Sequence, residues 1–209
     1  MKIGVLFDLD GTLLDTLEDL MDATNAALAQ FGYPPRTLEE IRRFVGNGAA
    51  RLIQLAVPEG AATEPVLAAF QQYYRTHCQG RTAPYAGVVE AIQRLDMPMA
   101  IVSNKPDVAV KALCEKYFSG VYALGESADC PRKPAPDMVR KAMAVIGVER
   151  CVYVGDSEVD VATARNAGVP CLSVLWGFRD EAQLRAAGAT HFCRRPEDLP
   201  TLIRDLTAQ

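Results

Sequence analysis

The sequence lacks cysteine pairs with the spacing of a zinc or redox site. Its six cysteines are spread over positions 78, 114, 130, 151, 171 and 193, and none forms a CxxC pair. This distribution gives poor support to a metal–thiolate or thiol–disulfide centre. It favours a reducing compartment, and we expect a cytoplasmic protein.

No apolar stretch is long enough to cross a bilayer. The apolar run after Met1 and Lys2 is interrupted by Asp8, and no small-residue cleavage site follows it. We therefore expect neither a secretory signal nor a membrane partner.

An excess of basic residues is also absent. The formal net charge is −4, and the isoelectric point is near 5.3. A chain of this charge has no general attraction for phosphate backbones, so nucleic acid is an unexpected partner. The 209 residues, 49% of them hydrophobic and 23% charged, are typical of a globular protein with one full core and a small second module. Nothing in the sequence indicates the oligomeric state.

The most informative stretch is IGVLFDLDGTLLD, from Ile3 to Asp15. Its first residues are apolar and rich in β formers, which predicts a buried strand that ends at Asp8. Asp8 and Asp10 then follow one residue apart. An isolated Asp-Gly pair is usually only a turn. Two neighbouring carboxylates at the end of a core strand are costly, however, unless a cation or a reacting group compensates them.

The rest of the chain predicts an α/β fold in two parts. Residues 16–81 show helical spacing without a convincing strand, whereas helices and strands alternate from Gly87 onwards. We expect a Rossmann-like open parallel sheet core formed by residues 1–15 and 82–209, with an inserted all-helical cap at 16–81. The strand predicted at Met99–Val102 ends at Ser103 and Asn104, and Pro106 is placed in the first turn of the next helix.

Polar residues follow several of the predicted strands. Asp8, Asp10, Ser103 and Asp156 all stand at carboxyl ends, and Lys133 lies in a loop between a strand and a helix. Ligand sites of open parallel sheets form beyond these ends. The sequence therefore predicts that these residues converge on one crevice.

Their residue types suit phosphoryl transfer. Asp8 would attack phosphorus as a nucleophile, and Asp10 would protonate the leaving oxygen and later activate water. A hard divalent cation, most plausibly Mg²⁺, would hold the carboxylates of Asp8 and Asp156 together.

These motifs resemble those of the haloacid dehalogenase superfamily. IGVLFDLDGTLLD matches its first motif, DxDGTLxD, and Ser103 with Asn104 matches the second, which grips the transferring phosphoryl group. Lys133 in RKPAPD matches the third motif, a cation that neutralises phosphoryl oxygens. GDSEVD matches the fourth, with Asp160 as a supporting acid. The resemblance implies metal binding by the side chains of Asp8 and Asp156 and by the backbone carbonyl of Asp10.

The resemblance extends over nearly the whole chain and points to the phosphoglycolate phosphatase-like branch. VGNGAARL at residues 45–52 is similar to that branch's cap loop, which makes Asn47 and Arg51 candidate specificity residues. Gly46 and Gly48 could equally be helix punctuation. The pair Glu158–Val159 departs from the basic and polar residues frequent in relatives, and it puts no catalytic role in doubt.

The leading interpretation is a Mg²⁺-dependent phosphomonoesterase that hydrolyses a small, phosphoglycolate-like metabolite through an aspartyl phosphate. A phosphosugar mutase of the β-phosphoglucomutase type and a pyrophosphatase remain alternatives on the same scaffold. A dehalogenase has no need of Asp10. A receiver-like binding module has no need of a cap, whereas an enzyme must exclude water from its site.

Overall fold

The structure, a computed structural model, describes residues 2–208. They form two compact units. One combines residues 2–14 with 84–208, and the other is the inserted segment Asp15–Ala83. Each unit is described in turn below.

The strands alternate with helices after the inserted segment. In chain order the strands are β1 (Ile3–Phe7), β2 (Leu14–Asp15), β3 (Ala83–Pro84), β4 (Met99–Pro106), β5 (Tyr122–Glu126), β6 (Arg150–Gly155), β7 (Cys171–Val174) and β8 (His191–Cys193). Six of them form one sheet in the order β5-β4-β1-β6-β7-β8. All of its pairings are parallel.

The first unit contains six α-helices and a short 3₁₀ helix at Pro196–Asp198. The helices are α5 (Val88–Gln93), α6 (Asp107–Tyr117), α7 (Asp137–Ile146), α8 (Glu158–Ala167), α9 (Glu181–Ala186) and α10 (Leu199–Thr207). They cover both faces of the sheet. Since successive side chains of a strand point to opposite faces, neighbouring residues of β1 pack against different helices. Val5 and Phe7 of β1 pack with residues of α5, α6 and α10. Leu6 packs with residues of α7 and α8.

The second unit is helical. Its helices are α1 (Leu17–Gln30), α2 (Leu38–Phe44), α3 (Gly48–Ala56) and α4 (Thr63–His77). α1 packs against α2 and α4, and α3 packs against the same two helices. The buried carboxylate of Asp19 accepts hydrogen bonds from the backbone N–H groups of Arg81 and Thr82, both at 2.9 Å, and so fixes the end of the unit.

The predicted fold class is confirmed: a Rossmann-like parallel sheet core with an inserted helical segment. The strand predicted at Met99–Val102 was too short, since β4 continues to Pro106 with a register shift against β5 after Val102. Ser103 and Asn104 therefore lie inside the strand. Pro106 precedes α6 instead of joining its first turn. The described residues include no helix with the length and apolarity needed to span a membrane.

Candidate active site

Asp8 stands directly after β1, the central strand that pairs with both β4 and β6. Its backbone N–H donates to the carbonyl of Val154 at 2.8 Å and so continues the strand pairing by one residue. Its carboxylate is buried, and Oδ1 accepts from the Leu9 N–H at 2.7 Å and pairs with Lys133 Nζ at 2.8 Å. Burial and repulsion by Asp160 raise the pKa of Asp8 well above its usual value, although Lys133 opposes the shift.

Lys133 places its ammonium group among three oxygen atoms. Nζ lies 2.8 Å from Asp8 Oδ1, 2.9 Å from Asp160 Oδ1 and 3.0 Å from the Tyr153 hydroxyl. An ammonium has three donors, so this set satisfies it completely. Burial alone would lower the pKa of Lys133, but attraction to Asp160 and Asp8 outweighs burial and raises it well above the usual value.

Asp160 is the third residue of α8 and accepts hydrogen bonds from several residues of the site. Its Oδ2 accepts from the backbone N–H groups of Asp156 and Ser157 at 3.2 and 3.1 Å, and from the Ser157 hydroxyl at 2.6 Å. Its Oδ1 accepts from Lys133 and from Tyr153. Burial opposes ionisation, yet Lys133 and Ser157 lower the pKa of Asp160. A carboxylate used in this way holds its neighbours in place.

Asp156 follows β6 and is held by a loop at residues 176–179. Oδ2 accepts from the Phe178 N–H at 2.7 Å, and Oδ1 accepts from the Thr12 hydroxyl at 3.3 Å. Burial and repulsion by Asp160 raise the pKa of Asp156 to about 7, and the bond from Phe178 partly offsets them. The charged form of this carboxylate is therefore less favoured than in an ordinary aspartate.

Two side-chain contacts hold the loop at residues 176–179, one at each end of the loop. The Trp176 indole N–H donates to the carbonyl of Thr12 at 3.0 Å, and the Arg179 guanidinium pairs with Glu158 at 2.8 Å. Gly177 leaves no space for a side chain, because a Cβ there would collide with Asp156 and with the carbonyl of Gly11. The unusual Glu158 of the fourth motif thus has a structural partner.

Asp10 has a different partner from Asp8. One of its carboxylate oxygens, Oδ1, pairs with Lys105 Nζ at 2.8 Å, and both side chains are largely buried. Gly11 has φ +80°, and a Cβ there would collide with the Asp156 carboxylate. Only glycine combines that conformation with so close an approach.

Ser103 and Asn104 lie in the part of β4 where its register against β5 shifts. The buried Ser103 hydroxyl accepts from the Lys105 N–H at 3.2 Å. Asn104 makes two bonds to the backbone of Lys133 through its side-chain amide. Its role in phosphate binding stays a prediction.

The carboxylates present fit a hard divalent cation. Asp8, Asp156 and Asp160 each offer an oxygen within 4.8 Å of the others. Oxygen donors of this kind suit cations such as Mg²⁺. Asp160 is already saturated with hydrogen bonds, so Asp8 and Asp156 are the better side-chain ligands. The side chain of Asp10 is not part of this cluster.

Asn47 and Arg51 belong to the second unit. Asn47 precedes α3, and its side chain makes no capping hydrogen bond there. Arg51 is exposed and donates to Gln54 Oε1 at 2.7 Å. Their predicted part in specificity stays a prediction.

Sequence reasoning did not find Lys105, Tyr153, Thr12 or the loop at 176–179. Lys105 has no local signal, because its partner Asp10 belongs to a distant segment of the chain. Tyr153 reads as an ordinary core residue inside an apolar run. The contacts of Thr12 and of the loop depend on tertiary structure.

Comparisons with known proteins show which family the chain resembles. The family model for haloacid dehalogenase-like hydrolases matches residues 5–174. A phosphoglycolate phosphatase of Rhodobacter capsulatus is 37% identical over 86% of this chain and 87% of its own length. Phosphoglycolate phosphatase 1 of Pseudomonas aeruginosa is 33% identical over 96% of this chain and 75% of its own.

A crystal structure from Lactobacillus delbrueckii subsp. bulgaricus, provisionally described as a phosphoglycolate phosphatase, is similar throughout. It shares 38% identity and superimposes with a TM-score of 0.90 over 97% of this chain and 98% of that one. The family match and this degree of identity agree with the sequence motifs and with the carboxylate cluster. The chain therefore belongs to the haloacid dehalogenase-like hydrolase family, among its phosphatases.

Proposed function

We propose that this protein is a Mg²⁺-dependent phosphomonoesterase that hydrolyses a small, phosphoglycolate-like metabolite through an aspartyl phosphate. The carrying observation is the buried Asp8 carboxylate, which follows the central strand with Lys133 Nζ 2.8 Å away. A nucleophile held against a cation, with more carboxylates at the same edge of the sheet, suits attack on phosphorus. The names of the curated relatives support phosphoglycolate as the type of substrate.

In the first half-reaction, a carboxylate oxygen of Asp8 forms a bond to phosphorus while the bond from phosphorus to the ester oxygen breaks. Asp10 gives a proton to that leaving oxygen, and the alcohol departs. In the second half-reaction, Asp10 takes a proton from water as the water oxygen attacks phosphorus. The acyl phosphate bond breaks, which restores the Asp8 carboxylate and releases inorganic phosphate.

The neighbouring residues bind and orient the phosphoryl group. We assign phosphate binding to the Ser103 hydroxyl, to the backbone around Asn104 and to the Lys133 ammonium, whose charge compensates the phosphoryl oxygens. Asp160 acts through Lys133 and not on the phosphoryl group itself, because its carboxylate accepts from the Lys133 ammonium at 2.9 Å.

The side chains of Asp8 and Asp156 and the backbone carbonyl of Asp10 are the proposed metal ligands. When bound, Mg²⁺ supplies positive charge that screens the carboxylates from the substrate phosphate. The raised pKa values of Asp8 and Asp156 support this assignment, since both carboxylates lack sufficient compensation by the described residues.

Residues 16–81 are proposed to act as the specificity cap over the catalytic core. A cytoplasmic location is proposed as well, and it is supported by the six cysteines, all of which are free. The formal charge of −4 again makes nucleic acid an unexpected partner.

The test is a panel of phosphorylated metabolites, including phosphoglycolate, assayed for phosphate release with Mg²⁺ and with EDTA. Wild-type protein and the Asp205→Asn control, an exposed acid in α10, should release phosphate only with the metal. Asp8→Asn should lower turnover by about a thousandfold or more, because an amide is a poor nucleophile. Residual turnover of Asp8→Asn within about tenfold of wild type would overturn the assignment.

Two other results would replace the proposal. Accumulation of a sugar bisphosphate without net phosphate release would identify a mutase. Preferential cleavage of inorganic pyrophosphate over every ester would identify a pyrophosphatase.

A further inference from the structure

Lys105 is a buried lysine that the proposed reaction does not yet use. It lies in the last part of β4, and its side chain is 3% exposed. Burying an ammonium is costly unless an anion compensates it. The compensating anion is Asp10, whose Oδ1 is 2.8 Å from Lys105 Nζ.

Asp8 and Asp10 of the first motif therefore each pair with a different lysine. Asp8 pairs with Lys133, and Asp10 pairs with Lys105, both at 2.8 Å. Lys133 also contacts Asp160 and Tyr153. Lys105 arrives from the neighbouring strand β4, so the direction of the Asp10 carboxylate is set separately from that of Asp8.

The backbone around Lys105 is fixed as well. Its N–H donates to the Ser103 hydroxyl at 3.2 Å. This bond ties the backbone of Lys105 to a side chain of the same strand. A long side chain held at its base and at its tip restricts the group that it binds.

We propose that Lys105 is a positioning residue for proton transfer: it holds the Asp10 carboxyl group where it can deliver a proton to the leaving oxygen. The inference rests on the proposed phosphatase reaction and assigns a role within it. General acid catalysis requires the donor to lie within hydrogen-bond reach of the oxygen that it protonates. Without Lys105, Asp10 keeps its proton-transfer chemistry but loses its fixed orientation.

The test compares two esters of nearly the same shape, phenyl phosphate and p-nitrophenyl phosphate. The nitro group makes the leaving phenolate a much weaker base, so its departure depends little on a proton. The ratio kcat/KM reports the steps up to departure of this first product, which isolates protonation of the leaving oxygen from later hydrolysis of the aspartyl phosphate.

We expect Lys105→Met to lower kcat/KM for phenyl phosphate by about a hundredfold. The loss in kcat/KM for p-nitrophenyl phosphate should be smaller by a factor of at least about ten. Asp10→Asn should show the same selectivity. The double variant should be no worse than Asp10→Asn alone, because both changes remove one function. Lys105→Arg should recover part of the loss. Lys111→Met is the matched control, since Lys111 forms an exposed ion pair with Asp107.

Equal losses on both esters, or additive losses in the double variant, would overturn the inference while phosphatase activity remains. Wild-type protein inactive on both esters and on the metabolite panel would overturn the proposed function itself, and this inference with it. If Lys105→Met does not fold, Lys105→Gln with the same two esters decides between these outcomes.

Discussion

Asn104 and Lys133 hold each other by a reciprocal pair of hydrogen bonds. The Asn104 side-chain amide donates to the Lys133 carbonyl at 3.0 Å and accepts from the Lys133 N–H at 2.8 Å. The second motif thereby fixes the backbone of the third. Asn104, which the sequence assigns to phosphate binding, therefore also fixes the backbone position from which the Lys133 side chain extends.

Asn104→Ala should therefore weaken substrate binding. Loss of two buried bonds to a backbone costs about 1–3 kcal/mol for each group left unsatisfied. We expect a lower Tm and a KM for the metabolite raised by about tenfold, measured by thermal unfolding and steady-state kinetics. Asn166→Ala is the control, because Asn166 donates to the nearby Pro134 carbonyl from an exposed position. An unchanged KM in Asn104→Ala would contradict the expectation.

Stability of the metal-free protein should depend on the pH through Asp156. The pKa of Asp156 is raised to about 7, whereas an unfolded aspartate titrates near ~3.9. Between these values the native state binds a proton that the unfolded chain has lost. The contribution of Asp156 to the free energy of unfolding is therefore full below about pH 4 and falls as the pH rises towards about 7.

Two measurements check this sign. Asp156→Asn should gain in Tm relative to wild type as the pH rises from about 4 to about 7, in the presence of EDTA. Mg²⁺ should raise the Tm of wild type more at about pH 8 than at about pH 5, because protons compete with the metal for the carboxylate. Equal Mg²⁺ shifts at both pH values would refute the coupling.

Gly177→Ala tests the loop around Asp156. A Cβ at Gly177 would collide with the Asp156 side chain and the Gly11 carbonyl, so the loop or the carboxylate must move. We expect a lower Tm and a smaller Tm shift on addition of Mg²⁺, since a ligand stabilises only the state that it binds. Gly80→Ala is the control, because its Cβ would meet only the Asp19 carboxylate, at 3.2 Å. A normal Mg²⁺ shift in Gly177→Ala would show that the loop does not orient Asp156.

The predicted cap residues require a comparison of two substrates. Asn47→Ala and Arg51→Ala should each lower kcat/KM for the true metabolite by about tenfold and leave p-nitrophenyl phosphate nearly unchanged. Gln54→Ala separates recognition from helix structure, because Gln54 is the hydrogen-bond partner of Arg51. Equal losses on both substrates would indicate that these residues maintain the helical unit instead.

The structural features that the sequence predicts correctly are those whose signal is local. The acids of IGVLFDLDGTLLD follow an apolar strand, and the helical spacing of residues 16–81 corresponds to helices α1 to α4. Strand periodicity and chain order suffice for such features. The predicted end of β4 failed, because Ser103 and Asn104 look like turn formers but lie inside the strand. The two hydrogen bonds from Asn104 to the Lys133 backbone fall within this stretch, and no local pattern reveals them.

The remaining parts of the site arise only from tertiary structure. Lys105, a partner of Asp10, comes from the adjacent strand, and one donor to Asp156 is the backbone N–H of Phe178, 22 residues later in the chain. A backbone donor has no residue type for a sequence pattern to recognise. The buried Tyr153 hydroxyl is hidden for a different reason, since tyrosine is common in core strands.

The central position of β1 has a consequence during synthesis. Its two neighbours in the sheet are β4 and β6. Residues 3–7 can therefore pair only after residues 99–101 have been made on one side and residues 150–154 on the other. A nascent chain leaving the ribosome therefore presents an apolar strand with both edges open until residues 99–101 have been made, and with one edge open until residues 150–154 follow. Such edges invite pairing with other chains. Asp8 and Asp10 place two carboxylates directly beside that strand, and charged residues that flank an apolar strand disfavour such pairing.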